Sequence, residues 1–427
     1  MIRLALAALA LTLILTGSPA RAAGPLDALA ERYVKLSLEI GEHEDGYIDA
    51  YYGPPQWAVE AKARHRDLTA LSADVDALLA DLASVSPPPG GLEARRQTFL
   101  KGQLTAARTR LRMMRGEKPS FEDEAEGLFS VRPALKPLAS YDPVLEQIEA
   151  LVPGEGPLWQ RVDAFTDRFI VPADRLRPVM DAAIAECRRR TMAHIALPAE
   201  ERFTLEFVTG KSWSGYNWYK GGAHSLIQIN TDLPVRISRA VDLGCHEGYP
   251  GHHVLNVLLE ERLSKGRGWV EFTVYPLFSP QSLIAEGSAN FGIDLAFPGP
   301  ERGEFEARVL YPLAGLDPAL ADRYLRLLEA QKALAGTRFT IASEYLSGRI
   351  DRERAIELTQ TYALVSRKRA EQTVSFTEQY RSYVINYGLG QDMVRAFVDR
   401  AGTDPAARWR AMEAVISEPT VPGDLLR

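Results

Sequence analysis

Three of the chain's seven histidines, His246, His252 and His253, fall within eight residues, and Glu247 directly follows the first. Neutral imidazoles are good zinc ligands, and a carboxylate beside one can deprotonate water at the metal. In a His-Glu-x-x-His helix the two ligands lie four apart and share one face. The spacing here is different. On a regular helix His252 lies about 120° from the face of His246, and His253 regains that face only about 10 Å further along the axis. Pro250 cannot donate to the carbonyl of residue 246, and its ring disturbs that turn. Gly251 tolerates the resulting backbone. The expectation is therefore a bulge at Tyr249-Pro250-Gly251 that brings His252 back beside His246. Geometry alone leaves His252 and His253 in competition. A plain helix break with hydrogen-bonded histidines is the alternative.

A third ligand has to come from elsewhere. The segment Ser282 to Asp294 offers Glu286 among small and apolar neighbours, so that it can pack closely against the first helix. Asn290 and Asp294 follow at intervals of four on the same face, where they could hold ligating histidines by hydrogen bonds. Arg381 is a candidate for a bidentate pair with a substrate carboxylate. His224 stands at the start of an expected strand, after Tyr216 and Tyr219. An edge strand beside a metal site can pair with an extended peptide; a simple turn histidine is the alternative.

The run His246-Glu247-Gly248-Tyr249-Pro250-Gly251-His252-His253, followed by Glu286-Gly287, resembles the signature of the bacterial DUF885 family. Asp45 to Pro54 and Ile229 to Pro234 resemble it too, so the likeness covers most of the mature chain. That family is grouped with helical gluzincin-type metallopeptidases. The resemblance implies zinc held by His246, His252 and Glu286, with Glu247 as general base. It also implies an oxyanion donor from a late helix, for which Tyr383 and Tyr387, four apart, are the candidates; a core aromatic helix with a capping glycine pair is the other reading. Tyr47, Asp49, Tyr51 and Tyr52 would line the far wall of a cleft. Ser288 stands where the family often has tryptophan, and Asp294 is the nearest later acid, so the pocket departs from the usual pattern.

These residues need a scaffold, and the pattern predicts a mainly α one. Helical periodicity runs from Leu26 to Leu82, breaks at Ser86 to Gly91, and resumes from Leu92 to about Arg115. Glu122 to Glu126 reads as an exposed acidic stretch. Pro172 to Ala196 is helical again. Phe203 to Val208 and Ser225 to Asn230 alternate as strands, joined by a Gly- and aromatic-rich connection, and predict a small antiparallel β-sheet over about 203–230 beside the zinc helix. Helix then continues to about Val415. Thr209-Gly210-Lys211-Ser212 lacks the second glycine of a phosphate loop and reads as a turn. The expected organisation is a signal peptide over 1–22, a helical region over 23–125, a catalytic region over 126–416 and an irregular tail over 417–427.

Arg3, the apolar run Leu4 to Leu15 and Ala20-Arg21-Ala22 have the order of a cleavable secretory leader. No cysteine lies near that cleavage site, which argues against a lipid-modified terminus. No later stretch is apolar enough to span a membrane. Loss of Arg3 and Arg21 takes the 50 Lys and Arg to 48, against 56 Asp and Glu. This acidic balance disfavours nucleic acid, and Arg188-Arg189-Arg190 reads as a solvated helix face. Two cysteines exclude a disulfide scaffold; Cys187 and Cys245 could pair in an oxidising compartment, and Cys245 otherwise reads as a small buried residue. The expectation is an exported, periplasmic or extracellular Zn²⁺ hydrolase acting on a peptide or other amide. A zinc amidase or esterase for envelope or small-molecule substrates and a non-catalytic envelope binding protein with a relic site are the competing readings.

Overall fold

The computed structural model describes residues 24–86, 88 and 90–427; the expected leader over 1–22 lies outside them. Helices dominate, as the periodicity predicts, and the strands form two small sheets. Among the described residues no helix is long and apolar enough to cross a membrane.

The first helix, Pro25–Gly41, buries Leu26, Leu29, Tyr33 and Val34 on one face. The helices Pro55–Arg64, Leu68–Ser84 and Gly91–Met114 follow, and the proline-rich break separates the last two. The expected helical run from Leu26 to Leu82 is interrupted by strand β1, Ile48–Tyr51. Gly46 turns the chain at φ +80°, a conformation glycine adopts without steric cost. β1 is then drawn into an antiparallel pair with a distant segment, Val274 to Pro276. Tertiary pairing overrides local propensity here.

The expected sheet is present, with a different wiring. It contains β2 (Arg202–Val208), β3 (Gly215–Tyr219) and β4 (His224–Asn230), in the order β2-β4-β3. β3 runs antiparallel to β4, but β2 and β4, the two strands expected to be antiparallel neighbours, run parallel. The connection between them is long enough to return as a strand of its own, so β4 is central and β3 lies at an edge. β5 is Val274–Pro276.

Among the described residues, the larger of two clusters of buried apolar side chains extends from Leu26 to Leu425 and joins the N-terminal helices to the rest; the smaller holds Ile341, Ala355, Ile356, Ala370 and Val374. The expected irregular tail ends in a helical turn, Pro422–Leu426, with Val421 and Leu425 buried. The acidic stretch at 122–126 is only partly exposed: in the helix Phe121–Phe129, Glu124 is fully buried. The helix Pro280–Ala296 is buried over almost its whole length. It crosses the helix Ile385–Asp399 so closely that a Cβ on Gly287 would lie 2.4 Å from the Gly390 carbonyl carbon. Gly388 and Gly390 thus lie inside a helix and do not cap one.

Candidate metal centre

The helix Ser238–Leu243 widens into a π-helical turn over Gly244–Gly248 and stops. Tyr249 N–H still reaches the Gly244 carbonyl at 3.2 Å, and Gly251 N–H the Cys245 carbonyl at 3.0 Å. A new helix starts at His252. The expected local distortion is found, as a wide turn and a restart. Gly251 is required by close approach, since a Cβ there would sit 1.8 Å from the His246 carbonyl oxygen. Gly292 of the helix Pro280–Ala296 receives the Pro250 ring, which a Cβ would meet at 2.8 Å.

This turn separates the two neighbouring histidines. His252 Nε2 lies 3.1 Å from His246 Nε2. His253 points the other way and is fully buried, with Nδ1 2.8 Å from Ser225 Oγ and Nε2 3.0 Å from Glu201 Oε2. Glu201 also accepts from the Tyr249 hydroxyl at 2.6 Å and from Arg188. So Glu201, which no sequence motif singles out, clamps the residues on both sides of Pro250-Gly251-His252. Arg188 belongs to this clamp, and Arg189 and Arg190 pair with Glu186. On its other side the turn is tied to the helix Leu176–Met192 by a Cys187–Cys245 disulfide.

Glu286 completes the cluster. Its Oε2 is 3.1 Å from His246 Nε2 and 3.7 Å from His252 Nε2, and these donor atoms lie within 4.8 Å of one another. Two ligands at about 2.0–2.1 Å on a tetrahedral zinc stand about 3.3 Å apart, so the spacing fits. The protonation pattern fits too. Asn290 Nδ2 donates to the Tyr387 carbonyl at 3.0 Å, which directs its Oδ1 to His246 Nδ1 at 2.9 Å. His246 therefore carries its proton on Nδ1 and turns a bare Nε2 toward Glu286. Glu286 Oε1 accepts from the Tyr383 hydroxyl at 2.8 Å, while Oε2 is buried without a hydrogen bond. His246, His252 and Glu286 are thus a group that could hold a metal ion.

The charged groups of the cluster perturb one another. Burial disfavours charge on His252, yet Glu286, Glu247 and Asp49 together raise it to about 9. Burial would raise Glu286, but the two histidines hold it well below the usual carboxylate range. Burial raises Glu247, and it pushes Asp49 up to about 6 against the hydrogen bond from Tyr216. Three carboxylates face one spot that holds two imidazoles.

The cluster opens into a cleft of about 470 Å³, whose lining includes Glu247, Asp49, Tyr383, Tyr387, Arg338 and the edge strand β3. β3 is fixed to the π-helical turn: Asn217 Nδ2 donates to the Glu247 carbonyl at 2.8 Å. Gly215 lies so near Glu247 that a Cβ would approach Oε1 to 2.7 Å.

The chain is structurally similar to a Colwellia psychrerythraea protein described as a "putative lipoprotein", with TM-score 0.53 and 16% identity over 87% of this chain and 68% of that one. A Shewanella oneidensis protein described as "a putative lipoprotein of unknown function" matches at TM-score 0.44 and 13% identity, over 85% and 76%. No family model and no curated protein matches the chain. The Colwellia likeness shows a shared fold.

Several expected site residues take other places. Arg381 is committed to the buried Glu124 carboxylate and does not line the cleft. His224 starts the central strand β4, beside Thr204, and is likewise outside the cleft lining. Tyr383 donates to Glu286 and is thus committed to that carboxylate, whereas Tyr387 is half-buried at the cleft and stacks on His246 at 6.4 Å. Of the N-terminal candidates only Asp49 reaches the cleft; Tyr51 and Tyr52 bind the Pro54 and Phe272 carbonyls, and Tyr47 is buried. Asn290 holds His246 as expected, but Asp294 pairs with Lys332 and Arg395. The Gly210-Lys211 turn has no room for a phosphate role, because the Asp232 carboxylate occupies both N–H groups.

Proposed function

We propose that the chain is an exported zinc-dependent hydrolase acting on peptides. The single observation that carries this is the convergence of His246 Nε2, His252 Nε2 and Glu286 Oε2, with Glu247 beside them in the cleft. Zinc held there supplies Lewis acidity toward a carbonyl and lowers the pKa of water. Glu247, its carboxyl raised by burial, takes a proton from the attacking water and delivers it to the leaving nitrogen. Tyr387, next to His246, supplies the donor for the developing oxyanion. The edge strand β3 offers its backbone to an extended substrate. The catalytic region is residues 126–416, to which the N-terminal region adds Asp49.

The motif's resemblance to DUF885 proteins supports this reading. The leader, the Cys187–Cys245 disulfide and the description of the Colwellia neighbour as a lipoprotein support export. Metal analysis of the purified chain is expected to find one zinc, lost in His252→Ala and kept in His253→Ala variants that remain folded. Glu247→Gln is expected to keep its zinc and to lose about 10²- to 10⁴-fold in kcat on peptides. Full turnover by Glu247→Gln, or activity confined to non-peptide esters and amides, overturns the peptidase reading.

A further inference from the structure

We infer that Arg338 receives the free carboxyl terminus of the substrate, so that the cleft cuts peptides from their C-terminal end. The inference rests on reading the His246–His252–Glu286 cluster as a hydrolytic centre, and it names the substrate class of that centre.

Four of the cationic side chains at the cleft can be compared. Arg239 pairs with Asp242, Arg302 with Asp242 and Glu306, and Lys332 with Asp294 and Glu329. Arg338 has no carboxylate within 4.0 Å among the described residues, and its buried Nε has no hydrogen-bond partner. Burial holds its pKa below the ordinary arginine value, with only Tyr387 and Glu286 acting against that. A half-buried guanidinium whose Nε is buried without a partner and which has no carboxylate beside it favours a ligand that supplies an anion. Its position is defined by aromatic faces: the guanidinium carbon lies 4.9 Å from the Phe376 ring and 5.7 Å from the Tyr387 ring. Arginine stacked in this way keeps a planar fork of N–H groups for a bidentate carboxylate.

The distance suits an exopeptidase. Tyr387 is the shared neighbour, with its ring 6.4 Å from the His246 ring and 5.7 Å from the guanidinium. Arg338 therefore lies no more than about 12 Å from a metal ligand. An extended residue spans about 3.3–3.6 Å. That leaves room for one or two residues between the scissile carbonyl and a carboxylate on Arg338. A substrate with its free C-terminus within a few residues of the scissile bond fits that limit.

The test uses an N-acetylated tripeptide and its C-terminal amide, titrated calorimetrically into the zinc-loaded Glu247→Gln protein. The acid is expected to bind about ten- to a hundredfold more tightly than the amide, the range of a charge-assisted pair. Adding Arg338→Ala should abolish the preference, and Arg338→Lys should restore part of it. Repeating the titration after chelation separates a carboxylate on arginine from one on zinc, because only the former preference survives. Equal affinity for acid and amide in the protein with Arg338 intact overturns the inference without any substitution at that position. A preference that persists in Arg338→Ala also overturns it. Cleavage of both peptides by wild type at similar rates would leave the hydrolase standing and remove the carboxyl-end specificity. An acid preference with no hydrolysis of either would leave Arg338 as an anion site and remove the peptidase.

Discussion

At the scale of the residue, the two late tyrosines separate by what each side chain touches, Glu286 for the Tyr383 hydroxyl and the His246 ring for Tyr387. Tyr383 donates to Glu286 Oε1, so Tyr383→Phe is expected to weaken zinc binding about 10- to 100-fold and to leave kcat at saturating zinc within a few fold. Tyr387→Phe is expected to do the reverse, with zinc affinity unchanged and kcat reduced about tenfold or more. Competition with a zinc chelator and steady-state kinetics read the two effects separately. Glu201 gives a pH prediction. Burial alone would raise its pKa, but the hydrogen bonds from His253, Tyr249 and Arg188 lower it to about 2. Its folded value is thus depressed below the unfolded one. The stability it contributes is present above about pH 4.5 and is lost as pH falls toward about 2. Glu201→Gln should cost about 2 kcal/mol at pH 7, and the gap from wild type should close below pH 3 in urea titrations.

Elements show why only part of the site could be read in advance. Pro250-Gly251 announces a break between His246 and His252, and the Cβ clash at Gly251 explains why glycine sits there. Gly251→Ala should therefore abolish zinc binding and lower stability by about 2–3 kcal/mol, measured by metal content and denaturant unfolding. Glu286 and Asn290 were legible because helical spacing puts them on one face. The choice between His252 and His253 was not, because it depends on Ser225 and Glu201, which are distant in sequence. Arg381 was misplaced because its partner, Glu124, lies 257 residues away in a stretch whose composition reads as surface. Arg338 left no trace at all, since an arginine without a partner looks like any other in a sequence. β1 escaped for a similar reason: four residues take strand form because β5 pairs with them.

For the whole molecule, the disulfide matters most to assembly. Cys187–Cys245 closes a separation of 58 residues and fixes the helix Leu176–Met192 beside the π-helical turn at Gly244–Gly248. A loop of that length constrains the unfolded chain by about 4 kcal/mol in the chain-entropy model. A Cys187→Ser/Cys245→Ser protein, or one kept under dithiothreitol, should unfold at lower denaturant by up to that amount while retaining His246, His252 and Glu286. Mainly helical architecture was legible from periodicity. The way a cleft is bounded by β3 on one side and the helix Ile385–Asp399 on the other was not.

The crossing at Gly287 and Gly390 also decides where this molecule can yield. Backbone meets backbone there, so the helix carrying Glu286 and the one carrying Tyr387 have no compressible side-chain layer between them and must move as one stiff body. The opposite bank is softer. Ser212, in the turn before β3, reaches across to Gln379 by an exposed 2.8 Å hydrogen bond, and Gly210 lies within that turn at φ +74°. Of the cleft's two banks, the turn before β3 is thus the one held by side chains and not by backbone packed on backbone. Amide hydrogen exchange is expected to be slow across 283–295 and 386–394 and faster at 212–214, beyond the Gly210 and Lys211 amides held by Asp232, and a bound peptide should slow the exchange at 212–214.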